Sequence, residues 1–180
     1  MKAFALVILL FSLHCAAATL PPLVARDLVS GNGLEHNWPA APQGSVLVFL
    51  SSNCPCSNAH IAHLTALAHR FPQVKFIGVH ANADESKSES AAYFKAQKLP
   101  FPVLQDSGAQ WANRLKALRT PHAFVVSASG ELLYQGGVTS SAEASKAQEF
   151  YLEAALTQLV AGEKITTAKT RVLGCQIARP

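Results

Sequence analysis

The longest unbroken apolar run, "SVLVFLSS" (45–52), has the length of a central strand covered on both faces. Helical spacing follows in "SNAHIAHLTALAHRF" (57–71): at roughly 100° per residue, Ile61, Leu64, Leu67, Ala68 and Phe71 share one stripe. "VKFIGVHA" (74–81) predicts a second strand. "SKSESAAYFKAQK" (86–98) opens with Ser86 and Glu89 in capping-box spacing and predicts a helix. "FPVLQD" (101–106) predicts a short strand and "GAQWANRLKAL" (108–118) a short helix. "HAFVVSAS" and "ELLYQGG" then form a hairpin turning at Gly130. Ser140 and Glu143 repeat the capping-box spacing ahead of "AEASKAQEFYLEAALTQLVAG", which predicts a long helix stopping at Gly162. "SGNGLEH" (30–36) precedes the first core strand and reads as a turn.

The resulting order, β-α-β-α-β-α-β-β-α, implies an α/β fold: a mostly parallel sheet with helices on both faces and an antiparallel hairpin at one edge. With 180 residues, 49% hydrophobic and 14% charged, the chain suits one domain with a full core. The 15 Lys and Arg against 11 Asp and Glu include no long basic run, so nucleic acid is not an implied partner.

The first residues stand apart from that domain. Lys2, the apolar "AFALVILLFSL" and the small residues Ala16 and Ala18 have the pattern of a secretory leader cleaved after Ala18. The apolar run is too short for a membrane span, and His14 is bulky where lipid attachment at Cys15 would need a small residue. The expected division is a leader over 1–18, a domain over 19–163 and a C-terminal tail over 164–180. The mature chain is expected to be secreted or periplasmic, with no membrane span after cleavage.

Cleavage removes Cys15 and leaves Cys54, Cys56 and Cys175 in a compartment where thiols oxidise. An odd number of cysteines points to a working thiol rather than a static framework. Cys54 lies between a core strand and a helix start, where unpaired backbone N–H groups favour the thiolate that does the chemistry. Cys56 is only two residues on, so a Cys54–Cys56 disulfide would close a small, strained and therefore oxidising ring. Cys175, in "RVLGCQIARP", is the other partner available: if the tail folds back over the Cys54 turn, it could resolve an oxidised Cys54 or bond to Cys56. The spacing alone leaves these open.

The segments "VLVFLSSNCPCSNAHIAHL", "HANADES", "PFPVLQD", "RTPHAFVVSASGELLYQGGV" and Gly174-Cys175, in this order, resemble the thioredoxin-like redoxins of the alkyl hydroperoxide reductase/thiol-specific antioxidant (AhpC/TSA) type. The resemblance spans about residues 25–163. It implies a three-layer thioredoxin-like fold and an oxidoreductase with Cys54 as the attacking thiol. It also implies a cis Thr120-Pro121 bond facing the thiol turn and presenting backbone atoms to substrate. Ser57 stands where the thioredoxin pattern has its second cysteine. The implied partners are a disulfide or peroxide substrate, protein or small molecule, and a thiol reductant; no cofactor is implied.

Two rival functions arise from the same residues. Peroxiredoxins carry Ser or Thr three residues before the reactive cysteine, and Ser51 matches; they also carry a proline where this chain has Leu47, and an arginine for which Arg119 is the candidate. Thiols with His60, His63, His69 and His122 would suit copper or zinc, but the Cys-x-x-x-Cys pair of copper-delivery relatives is absent, and helix-flank histidines are expected to be partly exposed. His122 could instead assist thiol deprotonation. No Gly-rich phosphate loop, Gly-x-Ser-x-Gly elbow or His-Glu-x-x-His motif is present.

Overall fold

A computed structural model describes residues 19–37 and 41–180; the expected leader lies outside the described residues. Two layers of side chains grow from the alternation of strand β3 (Ser45–Phe49), in which every residue is buried. Val46 and Val48 face one core, with Leu64, Leu67, Phe94 and Leu152; Leu47 and Phe49 face the other, with Ile77, Trp111 and Phe124. A continuous apolar strand is what such a position requires, because neither face meets water.

β3 pairs in parallel with β4 (Lys75–His80), which pairs in parallel with β5 (Val103–Gln105). On its other side β3 pairs antiparallel with β7 (His122–Val126), and β7 with β8 (Leu132–Gly136). The expected hairpin is thus present, and helices cover both faces of a thioredoxin-like mixed sheet.

The sheet has two further strands. β1 (Leu23–Asp27) and β2 (Gly33–His36) form an antiparallel hairpin, and β1 joins β5, giving the order β2-β1-β5-β4-β3-β7-β8. "SGNGLEH" is therefore half turn and half strand. The pattern concealed it because β1 and β2 are largely solvated and carry almost no apolar run.

The first helix is broken. α1 (Pro55–Asn58) ends before α2 (Ile61–Arg70), because the imidazole Nδ1 of His60 donates to the Cys56 carbonyl at 2.7 Å while the His60 amide turns to Ser57 O. α3 (Lys87–Gln97) starts at Ser86, whose hydroxyl accepts the Glu89 amide as the spacing predicts. α4 (Gln110–Arg114) is shorter than expected.

The last helix, α5 (Tyr151–Val160), starts well after the predicted position. The Ser140 hydroxyl accepts the amides of Gln148 and Glu149 and closes a loop over 140–149, so Glu143 caps nothing and pairs with Lys146 instead. This local bonding competes with helix formation.

The tail returns to the body of the fold. Ile165 joins the first core and Ile177 the second. Strand β6 (Arg119–Thr120) pairs antiparallel with β9 (Cys175–Gln176), placing the tail beside the turn that follows β3.

Candidate active site

Three cysteines from two distant parts of the chain meet at the carboxyl end of β3. Cys54 is the N-cap of α1 and is 1% exposed. Its Sγ accepts the amide of Ser57 at 3.4 Å and the amide of Cys175 at 3.4 Å, and in the thiol form it donates to the Thr120 carbonyl at 3.1 Å. The Thr120-Pro121 bond is cis, as the resemblance implies.

These contacts set the order of acidities. Burial opposes the Cys54 anion, but hydrogen bonds from the Cys175 thiol and from the two amides outweigh it and hold its pKa below the ordinary thiol value. The same hydrogen bond, with burial and the nearby Cys54 charge, pushes Cys175 up to about 11. Burial and the Cys54 charge raise Cys56 as well. All three cysteines are unbonded thiols in this structure. Cys54 is therefore the group that ionises first.

Ser51 lies behind the turn, where its hydroxyl accepts the Cys54 amide at 3.0 Å and donates to Glu85. The Glu85 carboxylate also receives the Ser52 amide at 2.9 Å, the Ser52 hydroxyl, the Ser90 hydroxyl at 3.3 Å and His80 Nε2 at 3.1 Å. Burial alone would raise a carboxyl pKa; the bonds from His80, Ser51 and Ser52 instead lower Glu85 to about 2. A buried anion thus ties the ends of β3 and β4 to the thiol turn. Glu85 was not among the residues expected from sequence. It belongs to the "HANADES" turn that carried the resemblance, but one acid in a polar loop gives no sign of burial.

Ser57 also proves to be structural. It is fully buried, and its hydroxyl accepts the Ser51 amide at 3.1 Å. Serine at this position locks the turn from inside.

Of the four candidate histidines, His60 and His122 are buried, His63 is half-buried and His69 is exposed. His60 is 2% exposed, and its Nε2 lies 2.9 Å from Thr139 Oγ1, so the expectation of a partly exposed flank residue is corrected: the helix break turns the ring inward. The His122 ring packs on Phe124 at 4.3 Å, and its Nδ1 has no hydrogen-bond partner. None of the hydrogen bonds to Cys54 comes from it. Arg119 donates to Gly174 O at 2.7 Å, on the tail. Among the described residues, no group of three or more His, Cys, Asp or Glu side chains is arranged to hold a metal ion.

The AhpC/TSA family model matches residues 32–135, more than half of the chain. Sporulation thiol-disulfide oxidoreductase A of Bacillus subtilis (strain 168) is 26% identical over 103 residues, covering 56% of this chain and 62% of that relative. Among solved structures, an uncharacterized conserved protein from Geobacillus kaustophilus superposes with a TM-score of 0.82 at 20% identity, over 91% of this chain and 92% of its own. A hypothetical protein from Sinorhizobium meliloti 1021 gives 0.80 at 21% identity, over 91% and 94%.

Proposed function

Since this chain belongs to the AhpC/TSA family, we propose that it is a thiol-disulfide oxidoreductase in which Cys54 attacks and Cys175 resolves. The observation that carries this reading is the placement of Cys175 against the thiol turn: it pairs with Thr120, and its amide, with that of Ser57, donates to Cys54 Sγ. In the proposed cycle, the Cys54 thiolate attacks one sulfur of a substrate disulfide and expels the other as a thiolate. Cys175, losing its proton to the departing thiolate, then attacks Cys54 Sγ and releases the substrate's remaining sulfur. The enzyme is left with a Cys54–Cys175 disulfide, which an external dithiol reduces.

The similarity to the Bacillus subtilis thiol-disulfide oxidoreductase supports a disulfide as the oxidant. Cys56 is assigned no obligatory step: two residues from Cys54, it would have to close a strained ring. Residues 1–18 are assigned as an export leader, 19–163 as the redoxin domain and 164–180 as a tail that delivers the resolving thiol. On this basis the protein acts outside the cytoplasm. No helix among the described residues is long and apolar enough to cross a membrane.

The test is disulfide mapping by mass spectrometry after one turnover with a peptide disulfide and, separately, with hydrogen peroxide. A Cys54–Cys175 bond formed faster with the peptide disulfide is expected. Faster oxidation by peroxide would make the protein a peroxidase instead, and turnover unchanged by Cys54→Ser would sink both readings.

A further inference from the structure

The backbone edge beside the thiol is already occupied by the chain's own tail. Thr120 pairs with Cys175 and Arg119 with Gln176 in antiparallel register. The approach is close: Gly174 adopts φ +135°, and a Cβ there would lie 1.9 Å from Thr120 O. Only glycine lets the strand settle against β6 in this way.

Both ends of this strap are anchored to the body of the fold. On one side the Thr170 hydroxyl lies 2.7 Å from Tyr134 Oη and accepts the Gly137 amide at 3.1 Å. On the other, Ile177 is 1% exposed and its amide donates to Leu118 O at 3.0 Å, while Ala178 O accepts the Ala83 amide and Arg179 donates to Asn113 Oδ1 at 2.7 Å. The residues between, 171–176, are half-buried or exposed.

We propose that Gly174–Gln176 is an autoinhibitory strap: it occupies the Arg119–Thr120 edge, where the resemblance places substrate backbone, and an extended, cysteine-bearing substrate strand must displace it to reach Cys54. This inference rests on the assignment of Cys54 as the attacking thiol. The strap supplies what a substrate strand would supply: backbone pairing to Thr120, an amide directed at Cys54 Sγ and a sulfur within its reach. Strand addition to an open edge is a general mode of peptide recognition. A substrate peptide must first displace the strap, and Cys54, 1% exposed beneath it, is shielded from large disulfides until then.

The order of steps follows. With the strap lifted, Cys54 attacks the substrate disulfide, forms a mixed disulfide and expels one substrate thiolate. The strap's return brings Cys175 back to Cys54 Sγ, whose bond to substrate it breaks, releasing the second substrate thiol. One segment thus excludes substrate at the start of the cycle and ejects it at the end.

The test isolates the first step in the mature full-length protein carrying Cys175→Ser. Single-turnover oxidation of Cys54 is timed with a disulfide-linked pair of extended peptides and with hydroxyethyl disulfide, each with and without Gly174→Val, which drives the strap off β6. Strap removal is expected to raise the ratio of peptide to small-disulfide rates about tenfold, because the peptide needs the whole edge cleared, while the loss of the Cys175 amide to the Cys54 anion slows both oxidants alike and cancels in the ratio. Arg119→Gln, which removes the bond to Gly174 O, should shift the ratio the same way by a smaller factor and guards against a folding defect in the glycine variant. A ratio that is unchanged or lowered overturns the proposal while leaving Cys54 as the attacking thiol. No reaction of Cys54 with either oxidant in any variant would defeat the assignment of Cys54 itself.

Discussion

The amide of Cys175 donates to Cys54 Sγ at 3.4 Å across 121 positions of sequence, so the C-terminal tail is part of the thiol's electrostatic environment. With the tail in place, Cys54 lies below the ordinary thiol value and Cys175 near 11. Thiolate absorbance in the ultraviolet should therefore titrate in separate steps as pH rises. The first step is expected to vanish in Cys54→Ser and to move upward in Cys175→Ala, which removes one of the donors to the anion. A first step that survives Cys54→Ser would contradict this ordering.

Resolution should depend on Cys175 far more than on Cys56. In Cys175→Ser the mixed disulfide between Cys54 and substrate is expected to accumulate, with turnover falling about a hundredfold, the scale of losing a positioned group at a reacting bond. Cys56→Ser should cost less than about threefold. Acid-quenched mass spectrometry of the covalent intermediate reads both, and intermediate building up only in Cys56→Ser would reverse the roles.

The Glu85 side chain is 3% exposed and holds the thiol turn through Ser51 and Ser52. Its folded pKa of about 2 lies below the ordinary carboxylate value of 4.5. The anion therefore stabilises the fold fully above pH ~4.5, and that stability is lost as pH falls towards ~2, in total about 3 kcal/mol. Glu85→Gln should flatten the stability profile in this window and lower stability at pH ~7, measured by urea unfolding. A variant whose profile still falls as steeply between pH ~4.5 and ~2 would show that other carboxylates dominate.

The sheet and Cys54 were legible because their signals are local. β3 and β7 are continuous apolar runs, and Cys54 lies in the turn between a core strand and a helix start. The hairpin of β1 and β2 was not legible, because its burial alternates but its residue types do not: Val24, an apolar residue, is 66% exposed on the solvent side. Ser140 and Glu143 have the spacing of a helix start, yet spacing does not reveal that the Ser140 hydroxyl is taken by Gln148 and Glu149. Glu85, His60 and the Cys54–Cys175 contact all depend on what the fold brings from elsewhere. For Cys175, the only local sign was Gly174 beside it, whose positive φ the close approach to Thr120 requires.

His122 provides a second acid-sensitive element, in a higher pH window than Glu85. It is 7% exposed, and burial together with the Lys169 charge lowers its pKa from 6.5 to about 4. The folded protein keeps the ring neutral, while the unfolded chain takes up a proton below pH ~6.5 and is favoured by doing so. Stability should therefore fall as pH drops from ~6.5 to ~4, by about 3 kcal/mol from this residue. His36, His60 and His63, whose pKa values burial also lowers, add in the same direction. His122→Phe keeps an aromatic ring against Phe124 and removes the titrating nitrogens, so it should reduce the loss between pH ~6.5 and ~4. The same variant separates a packing role from a catalytic one: if His122 only packs, thiol oxidation at pH ~7 changes less than about threefold. A loss of a hundredfold or more, on the scale of general-base catalysis, would make it the base for Cys54.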